Sequence, residues 1–218
     1  MKEKFMNGLL TLVVVLMMQL LWWFGIHGPN VMGAVTSPFM TKMMAQNLAL
    51  YQAGEGVTAS GVFYTAGSQY SIIFGPFGSG WFSPTGSGIT MGLIIAVMLF
   101  SKRDDFKAIA KLAIPCGIFN INEPIIFDIP MVMNALFAVP FFLAPIACVC
   151  CGYLVQSLGL CPLFVIDVPW TTPVGLFGFL ASSGNIMGAI WQAVIILGVS
   201  TLIYTPFVIA ANRQAEEA

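Results

Sequence analysis

Charged residues are scarce in this chain of 218 residues, of which only 8% are Asp, Glu, Lys or Arg. None occurs within residues 56–101 or within residues 168–212. Hydrophobic residues make up 58% of the chain, which is more than soluble domains usually contain. The uncharged runs are much longer than the roughly 20 residues that one membrane crossing needs. The sequence therefore predicts an all-α integral membrane protein with several membrane-embedded segments.

Several functional signatures are also missing from the sequence. A formal net charge of −1, with a single basic cluster, excludes the strongly basic surface typical of nucleic-acid-binding proteins. The sequence contains no phosphate-binding Gly-x-x-x-x-Gly-Lys motif, no dinucleotide-binding glycine pattern and no Ser-His-Asp set. We therefore expect neither a nucleic-acid partner nor a bound cofactor, and nothing supports a hydrolase, an ATPase or a dehydrogenase.

The five cysteines lie in apolar surroundings, and the only histidine is remote from them in sequence. Zinc sites normally require paired Cys or His motifs, which this spacing does not supply. The C-x-C-C run at residues 148–151 leaves a metal site as an alternative, but small buried apolar side chains are the favoured interpretation. No metal is expected. The cysteines are Cys116, Cys148, Cys150, Cys151 and Cys161.

The first apolar segment covers residues 5–24 and is long enough to cross a membrane. It is too long for a secretory signal and lacks a small-residue cleavage site, so it is predicted to be a retained span. Trp22 and Trp23 at its end are expected to be interfacial anchors. Residues 37–52 mix polar and apolar side chains, which leaves an interfacial helix and a re-entrant helix both open.

Residues 54–88 contain nine glycines and two prolines, a composition that disfavours helix. At membrane depth, irregular backbone survives only where protein or a water-filled cavity satisfies its polar groups. The segment is therefore either an external loop or the lining of a cavity. An apolar helix is predicted over residues 88–100, and the positive-inside rule places the basic loop after it in the cytoplasm. The basic residues are Lys102, Arg103, Lys107 and Lys111.

The motif GIFNINEPIIFDIP, residues 117–130, concentrates polar residues between two apolar runs. If Lys111 lies at the interface and the backbone is helical, Glu123 lies about 18 Å further along, past the middle of a hydrocarbon core of roughly 30 Å. An ionised carboxylate there costs on the order of 3 kcal/mol, so Glu123 needs a partner, a water-filled pocket or a proton. Pro124 disfavours helical backbone at Glu123, which predicts a helix break at this point.

Asn120 and Asn122 precede Glu123 in this motif. Their amides both donate and accept hydrogen bonds, and beside a carboxylate they suit hydroxyl groups better than a bare cation. Broken helices in transporters also free backbone groups that face a substrate or an ion. The motif therefore predicts a site for a ligand that carries hydroxyl groups. The alternative is a proline-kinked helix whose polar groups satisfy one another.

A second polar interruption, DVPWTTPVGLFGFLASSG at residues 167–184, separates two further apolar runs. Trp170, Thr171 and Thr172 combine an aromatic face with hydroxyl-binding groups, which is typical of sugar sites. A tryptophan near a proline-rich bend is also an ordinary interfacial anchor, and both interpretations stay open. The same holds for His27, which lies in the irregular G-I-H-G-P-N stretch and has either a structural or a functional role.

Three motifs in chain order carry a resemblance to a known family. They are LLWWFGIHGPNVMG at residues 20–33, FNINEPIIFDIPMVMN at residues 119–134 and PWTTPVGLFGFLASSG at residues 169–184. They resemble the membrane-spanning IIC component of bacterial phosphotransferase systems, in the lactose/cellobiose (diacetylchitobiose) branch. The resemblance implies a permease that binds a disaccharide and moves it inward. A separate IIB partner, supplied through IIA, would phosphorylate the sugar at its 6-hydroxyl.

The resemblance also implies roles for particular residues. His27 and Glu123 would lie beside the sugar, with Asn120 and Asn122 as neighbours in the pocket. Glu123 would assist phosphoryl transfer by orienting a sugar hydroxyl and accepting its proton. No phosphorylated residue is expected in the chain itself. Asp128 departs from the family pattern, which usually has glycine there, and it would either alter sugar preference or line a polar path.

For the fold, the resemblance implies transmembrane helices with broken helices and re-entrant hairpins in a bacterial inner membrane. Residues 1–218 would form a single membrane domain, the C-terminal transport half of a multi-pass permease whose N-terminal half is absent. A full-length permease of this family would be a homodimer. Two alternatives remain. One is an ion-coupled secondary transporter with a Glu123 and His27 relay, and the other is a nonfunctional truncated fragment.

Overall fold

The computed structural model of the chain describes residues 2–59, 61–65, 68–72, 76–129 and 131–217, with the side chains of residues 2–8, 76 and 217 left aside. Most of the described chain is helical, as predicted. Two short antiparallel strands, β1 (Val57–Thr58) and β2 (Gly61–Val62), pair with Val57 opposite Val62. This small hairpin lies in the glycine-rich segment, where the composition disfavours helix.

The helices of the described chain vary widely in length because glycine, asparagine and proline interrupt the apolar runs. A π-helical stretch, Val194–Val199, joins the helices Ile186–Ala193 and Ser200–Glu217 into one continuous element. In chain order they are α1 (Lys2–Trp23), α2 (Gly28–Gln52), α3 (Pro76–Trp81), α4 (Met91–Phe100), α5 (Asp104–Ile118), α6 (Glu123–Asp128), α7 (Ala135–Ser157), α8 (Leu176–Ala181), α9 (Ile186–Ala193) and α10 (Ser200–Glu217).

Two helices of the described residues are long and apolar enough to cross a membrane, α7 and the combined element Ile186–Glu216. At 1.5 Å per residue, the 23 residues of α7 span about 35 Å, slightly more than the hydrocarbon core. The apolar part Leu9–Trp23 of α1 and the helix α4, Met91–Phe100, are shorter. The ten residues of α4 reach only about halfway through such a core, because they rise about 15 Å.

Residues 37–52, for which the sequence left two kinds of helix open, form the second half of the long helix α2. The junction between α1 and α2 is tight. A Cβ atom added at Gly28 would collide with the backbone carbonyl of Met18, so glycine is needed for the two helices to approach each other. This close contact places His27, directly before α2, at the turn between the two helices.

The helix break in the polar motif lies earlier than predicted. Helix α5 ends at Ile118, and the backbone turns through Asn120 at φ +67° before α6 begins at Glu123. Asparagine is one of the few non-glycine residues that adopt this left-handed conformation readily. Pro124 therefore lies in the first turn of a new helix, where its missing N–H costs no hydrogen bond, rather than at the end of the preceding one.

The turn before α4 also shifts a predicted boundary. The helix predicted from residue 88 begins at Met91, because Gly88 and Ile89 have positive φ values of +80° and +52°. The hydroxyl of Tyr204 on α10 donates to the carbonyl of Gly88 at 2.8 Å and holds this turn against the last helix. Helix α4 packs between α5 and α10.

Two hydrophobic clusters support these interruptions. In the first, the ring of Trp81 stacks on Phe164, with centroids 5.2 Å apart and planes 8° apart. Cys148 and Cys161 are buried in the same cluster, as the apolar interpretation of the cysteines predicted, whereas Cys150 is exposed on α7. The second cluster gathers side chains of α4, α6, α7 and α10 around the buried Tyr204.

Candidate functional site

A cavity of about 730 Å³ lies where four interruptions of the helices meet. These are the α1–α2 junction, the turns between α3 and α4, the α5–α6 break and the loop before α8. Its volume falls in the range of about 300–1,000 Å³ that small-molecule sites usually have. The lining residues are Trp22, His27, Pro29, Asn30, Ser79, Ser83, Gly86, Ser87, Asn120, Ile121, Asn122, Glu123, Pro124 and Trp170.

His27 lines this cavity and also begins helix α2. Its Nδ1 atom accepts a hydrogen bond from the backbone N–H of Asn30 at 3.2 Å, which caps the helix. Because Nδ1 is the acceptor, a neutral His27 ring carries its proton on Nε2, which is then a hydrogen-bond donor. The structure therefore gives His27 a structural role as a helix cap and places its ring at the cavity. A functional role for His27 stays a prediction.

Trp22 differs from its prediction. The sequence placed it at the membrane interface as an anchor, but its side chain is only 4% exposed. Its ring lies against His27, with centroids 4.8 Å apart, and Phe127 packs nearby at 6.2 Å. The anchor prediction is therefore wrong for Trp22, because the turn at the end of α1 directs this indole into the protein. The anchoring role of Trp23 stays a prediction.

Glu123 lies in the first turn of α6 and lines the cavity. Among the described residues, none donates a hydrogen bond to its carboxylate or forms an ion pair with it. The partly positive start of a helix favours a negative charge at this position. Of the three environments that the sequence required for Glu123, the structure provides the pocket. Its oxygens are available to accept hydrogen bonds from hydroxyl groups of a ligand.

Asn122 connects the break to the glycine-rich segment. Its Nδ2 atom donates to the carbonyl of Ser87 at 2.6 Å, and the residue is 4% exposed. Within the described chain, no group donates to its Oδ1 atom. Asn122 therefore has one amide end held by the protein and one acceptor left beside the cavity.

Asn120 is held more completely. Its Oδ1 atom accepts from the backbone N–H of Thr85 at 2.6 Å. Its Nδ2 atom donates to the carbonyls of Trp170 and Thr172, at 2.5 and 2.9 Å. Asn120 therefore brings together segments that lie 35 residues before it and about 50 residues after it in sequence.

Of the three residues of the second polar interruption that were predicted to bind a ligand, only Trp170 is among the lining residues of this cavity. Trp170 lines the cavity and is 61% exposed. Thr171 and Thr172 are not among the lining residues, and Thr172 contributes its carbonyl to Asn120 instead. A direct part of these two threonines in ligand binding stays a prediction. Asp128 is exposed and also lies outside the cavity lining.

Four polar residues of the cavity were not singled out from the sequence: Asn30, Ser79, Ser83 and Ser87. The serines belong to the run SGWFSPTGS, in which hydroxyl residues recur every four positions within poor helix material. This recurrence was the available signal. The glycine-rich segment is thus cavity lining in its second part, one of the two interpretations that its composition left open.

Two ion pairs lie near the start of α5, away from the cavity. Arg103 contacts Asp105 at 2.5 Å, and this guanidinium holds the pKa of the Asp105 carboxyl below its ordinary value. Lys102 pairs with Glu216 at 3.0 Å. Both pairs are largely exposed, so they contribute little to stability. The described residues contain no group of three or more His, Cys, Asp or Glu side chains able to hold a metal ion.

Interrupted membrane helices around a polar cavity define the class of solute permeases. A family model described as "Phosphotransferase system, EIIC" matches residues 4–145, and the chain belongs to that family. The predicted family and fold are thus confirmed. Membrane location follows from the family.

The relatives of this chain carry sugar-specific names. The chain is 37% identical to the PTS system cellobiose-specific EIIC component of Lactococcus lactis, over 94% of this chain and 43% of that protein. It is 34% identical to the oligo-beta-mannoside-specific EIIC component of Bacillus subtilis, over 93% of this chain and 43% of that protein. The chain therefore spans less than half the length of these curated relatives.

A solved structure gives the same result. The transporter ChbC, the IIC component from the N,N'-diacetylchitobiose-specific phosphotransferase system, superposes with a TM-score of 0.83 at 34% identity. The match covers 94% of this chain and 45% of that chain. The chain therefore shares the fold of a transporter of this family.

Proposed function

We propose that this chain is the sugar-binding part of a phosphotransferase-system permease that takes up a β-linked disaccharide. The observation that carries the proposal is the carboxylate of Glu123, which has no partner among the described residues and lines the same cavity as His27 and Trp170. The names of the relatives, which refer to cellobiose, oligo-beta-mannoside and N,N'-diacetylchitobiose, support a sugar of this class.

The proposed binding mode follows from the chemistry of the lining. The Glu123 carboxylate and the Asn122 Oδ1 atom accept hydrogen bonds from sugar hydroxyls, and the Nε2–H of His27 donates one. The exposed indole of Trp170 offers an apolar face to a pyranose ring. Asn120 lines the same cavity, and the serines opposite add further hydroxyls. Among the described residues, no cationic side chain pairs with Glu123, and a negatively charged cavity suits a neutral polyol better than a second anion.

For phosphoryl transfer, we propose that the chain supplies position rather than a covalent group. Glu123 orients the sugar 6-hydroxyl and accepts its proton as the phosphoryl group arrives. The phosphoryl donor is a separate IIB component, which is itself phosphorylated by IIA. A relative in Streptococcus mutans, named a lactose-specific EIICB component and 32% identical over 97% of this chain, supports a IIB partner. Homodimerisation and a multi-pass position in a bacterial inner membrane also belong to this proposal.

A chimera tests the function directly. The region of the Lactococcus lactis cellobiose component that aligns with this chain is replaced by residues 1–218, and the chimera is expressed in cells that lack cellobiose uptake. We expect uptake of a β-linked disaccharide and accumulation of its 6-phosphate, dependent on phosphoenolpyruvate. The chimera with Glu123→Gln is the inactive control, and the chimera with Asp128→Asn is the active one.

The same assay distinguishes the ion-coupled alternative. Uptake that collapses when the sodium or proton gradient is dissipated, with unmodified sugar accumulating inside the cells, would support a secondary transporter and refute the proposal. Absence of uptake in a chimera that reaches the membrane at the level of its parent would support a nonfunctional fragment.

A further inference from the structure

The segment that carries Trp170, residues 167–172, is connected to the α5–α6 break by the side chain of Asn120. We call this segment the Trp170 loop. Directly before the loop, the backbone N–H groups of Val165 and Ile166 donate to the carbonyl of Ala181, and within the loop the side chain of Val168 is buried in a hydrophobic cluster. Within the loop, the backbone N–H of Thr172 donates to the carbonyl of Pro169. Among the described residues, the only hydrogen bonds that reach residues 167–172 from outside come from Asn120.

Asn120 suits this task in both its backbone and its side chain. Its φ of +67° turns the chain at the α5–α6 break, and the residue is 7% exposed. Both ends of its amide are in use, since Oδ1 accepts from Thr85 while Nδ2 donates to two carbonyls of the Trp170 loop. Both Nδ2 hydrogens are thereby assigned, so Asn120 has no donor left for a ligand.

We propose that Asn120 is a positioning residue that acts on the ligand through Trp170. By holding the carbonyls of Trp170 and Thr172, it fixes where the exposed indole stands over the cavity relative to Glu123, three residues further along its own chain. This inference rests on the proposed function, because it gives Asn120 the task of setting how tightly a sugar ring is held. It replaces the direct sugar contact that the sequence predicted for this residue.

Because Oδ1 of Asn120 accepts one hydrogen bond and Nδ2 donates two, substitutions can test the acceptor and the donors separately. Asn120→Asp keeps the acceptor for the N–H of Thr85 but loses both donors and sets a carboxylate oxygen against two carbonyls. Asn120→Gly removes the side chain while keeping a residue that adopts positive φ without strain. The two variants share only the release of the Trp170 loop, so an effect common to both reports on that release.

The first measurement needs no sugar. The chain is labelled with 5-fluorotryptophan in lipid nanodiscs, and the signal of Trp170 among the five tryptophans is assigned with Trp170→Phe. We expect Asn120→Asp and Asn120→Gly to shift or broaden the Trp170 resonance while the signal of buried Trp81 stays in place. An unchanged Trp170 resonance in both variants overturns the inference. Movement of both signals also overturns it, since Asn120 would then support the fold in general.

The second measurement is a double-mutant cycle on disaccharide affinity. We expect Asn120→Asp to weaken disaccharide binding about tenfold when no other residue is changed. The loss should be less than about twofold when Trp170→Ala is already present. In a His27→Asn background, the tenfold loss should persist. An equal loss with and without Trp170 would mean that Asn120 touches the sugar itself, which contradicts the inference. The cycle is measured in the chimera described above. If that chimera binds no disaccharide, the proposed function fails, and the fluorine spectra still decide the role of Asn120.

Discussion

The side-chain amide of Asn122 donates to the backbone carbonyl of Ser87 across 2.6 Å, and this bond connects two irregular segments 35 residues apart. Glycine at position 86 makes the approach possible, because a Cβ atom there would collide with the side chain of Asn122. Both residues line the cavity. The shape of the cavity therefore depends on a close contact between two turns.

Gly86→Ala is expected to destabilise the protein for two reasons. The residue has φ +83°, a conformation that costs a non-glycine residue on the order of 1–3 kcal/mol, and the new methyl group has no space beside Asn122. Thermal unfolding in detergent should show a lower midpoint and weaker disaccharide binding.

Two matched glycines separate these effects. Gly54 has φ +77° with open space around it, and Gly33 lies in α2 with open space and helical backbone. Gly54→Ala should show only the conformational cost, and Gly33→Ala should be neutral or stabilising by about 0.5–1 kcal/mol. If Gly86→Ala unfolds like Gly54→Ala, the collision with Asn122 is unimportant.

Glu123→Gln should weaken disaccharide binding by about 1 kcal/mol for each hydrogen bond that the carboxylate accepts, because hydrogen bonds to a charged group are stronger by roughly this amount than those to a neutral amide. Isothermal titration calorimetry in nanodiscs measures this loss. The matched control is Asp128→Asn, which removes an exposed carboxylate five residues away and outside the cavity lining. Equal losses in the two variants would contradict the assignment of Glu123 to the site.

His27 is expected to have two separable contributions. His27→Asn retains an acceptor for the N–H of Asn30 and keeps the cap of α2, but it removes the Nε2 donor. We expect normal thermal stability with disaccharide affinity lowered about tenfold. His27→Ala should show the same loss of affinity and, in addition, a loss of about 1 kcal/mol of stability because the cap is removed. Equal stability of the two variants would argue against the cap.

Gln192 is expected to be a stability determinant that the sequence did not reveal. Its Oε1 atom accepts from the N–H groups of Gly175 and Gly178, and its Nε2 atom donates to the carbonyl of Gly80. Helix α8 begins after Gly175, which has no side chain to cap it. Gln192, which lies on α9, therefore accepts a hydrogen bond from the N–H of Gly178 in the first turn of α8. Gln192→Leu leaves three backbone groups unpaired, of which those of Gly80 and Gly178 are buried, and should cost at least about 2 kcal/mol.

Denaturant unfolding in mixed micelles compares this variant with Gln214→Leu, which changes an exposed residue near the end of α10. We expect little change for Gln214→Leu. A similar midpoint for the two variants would mean that water or lipid headgroups replace the bonds of Gln192.

Much of the fold could be predicted because membrane insertion depends on local composition. The long uncharged runs predicted α1, α7 and the final helical element, and the glycine-rich composition of residues 54–88 predicted irregular backbone. The helix break was predicted in the correct motif but at Glu123, since Pro124 was interpreted as ending a helix. The structure shows that it begins one, because the left-handed turn at Asn120 has already ended α5.

The candidate site was predicted in part for the same reason. Glu123 and His27 stand out as ionisable groups in apolar sequence, which needs no knowledge of contacts. The serines at 79, 83 and 87 gave a weak signal, because hydroxyl residues are common in loops of every kind. Trp22 was misplaced, because a tryptophan at the end of a span lies at the interface or inside the protein depending on what packs against it.

By itself, the sequence determined that this chain is a helical membrane protein with polar interruptions, because hydropathy and proline or glycine content act locally. The depth of the Glu123 carboxylate stays a prediction, since the estimate assumed a continuous helix from Lys111 and α5 ends at Ile118. Only the tertiary structure decided which interruptions meet in one cavity. It also decided that Asn120 holds the Trp170 loop rather than facing a ligand freely. These features depend on hydrogen bonds between residues 35 to 52 positions apart, and local sequence does not specify such partners.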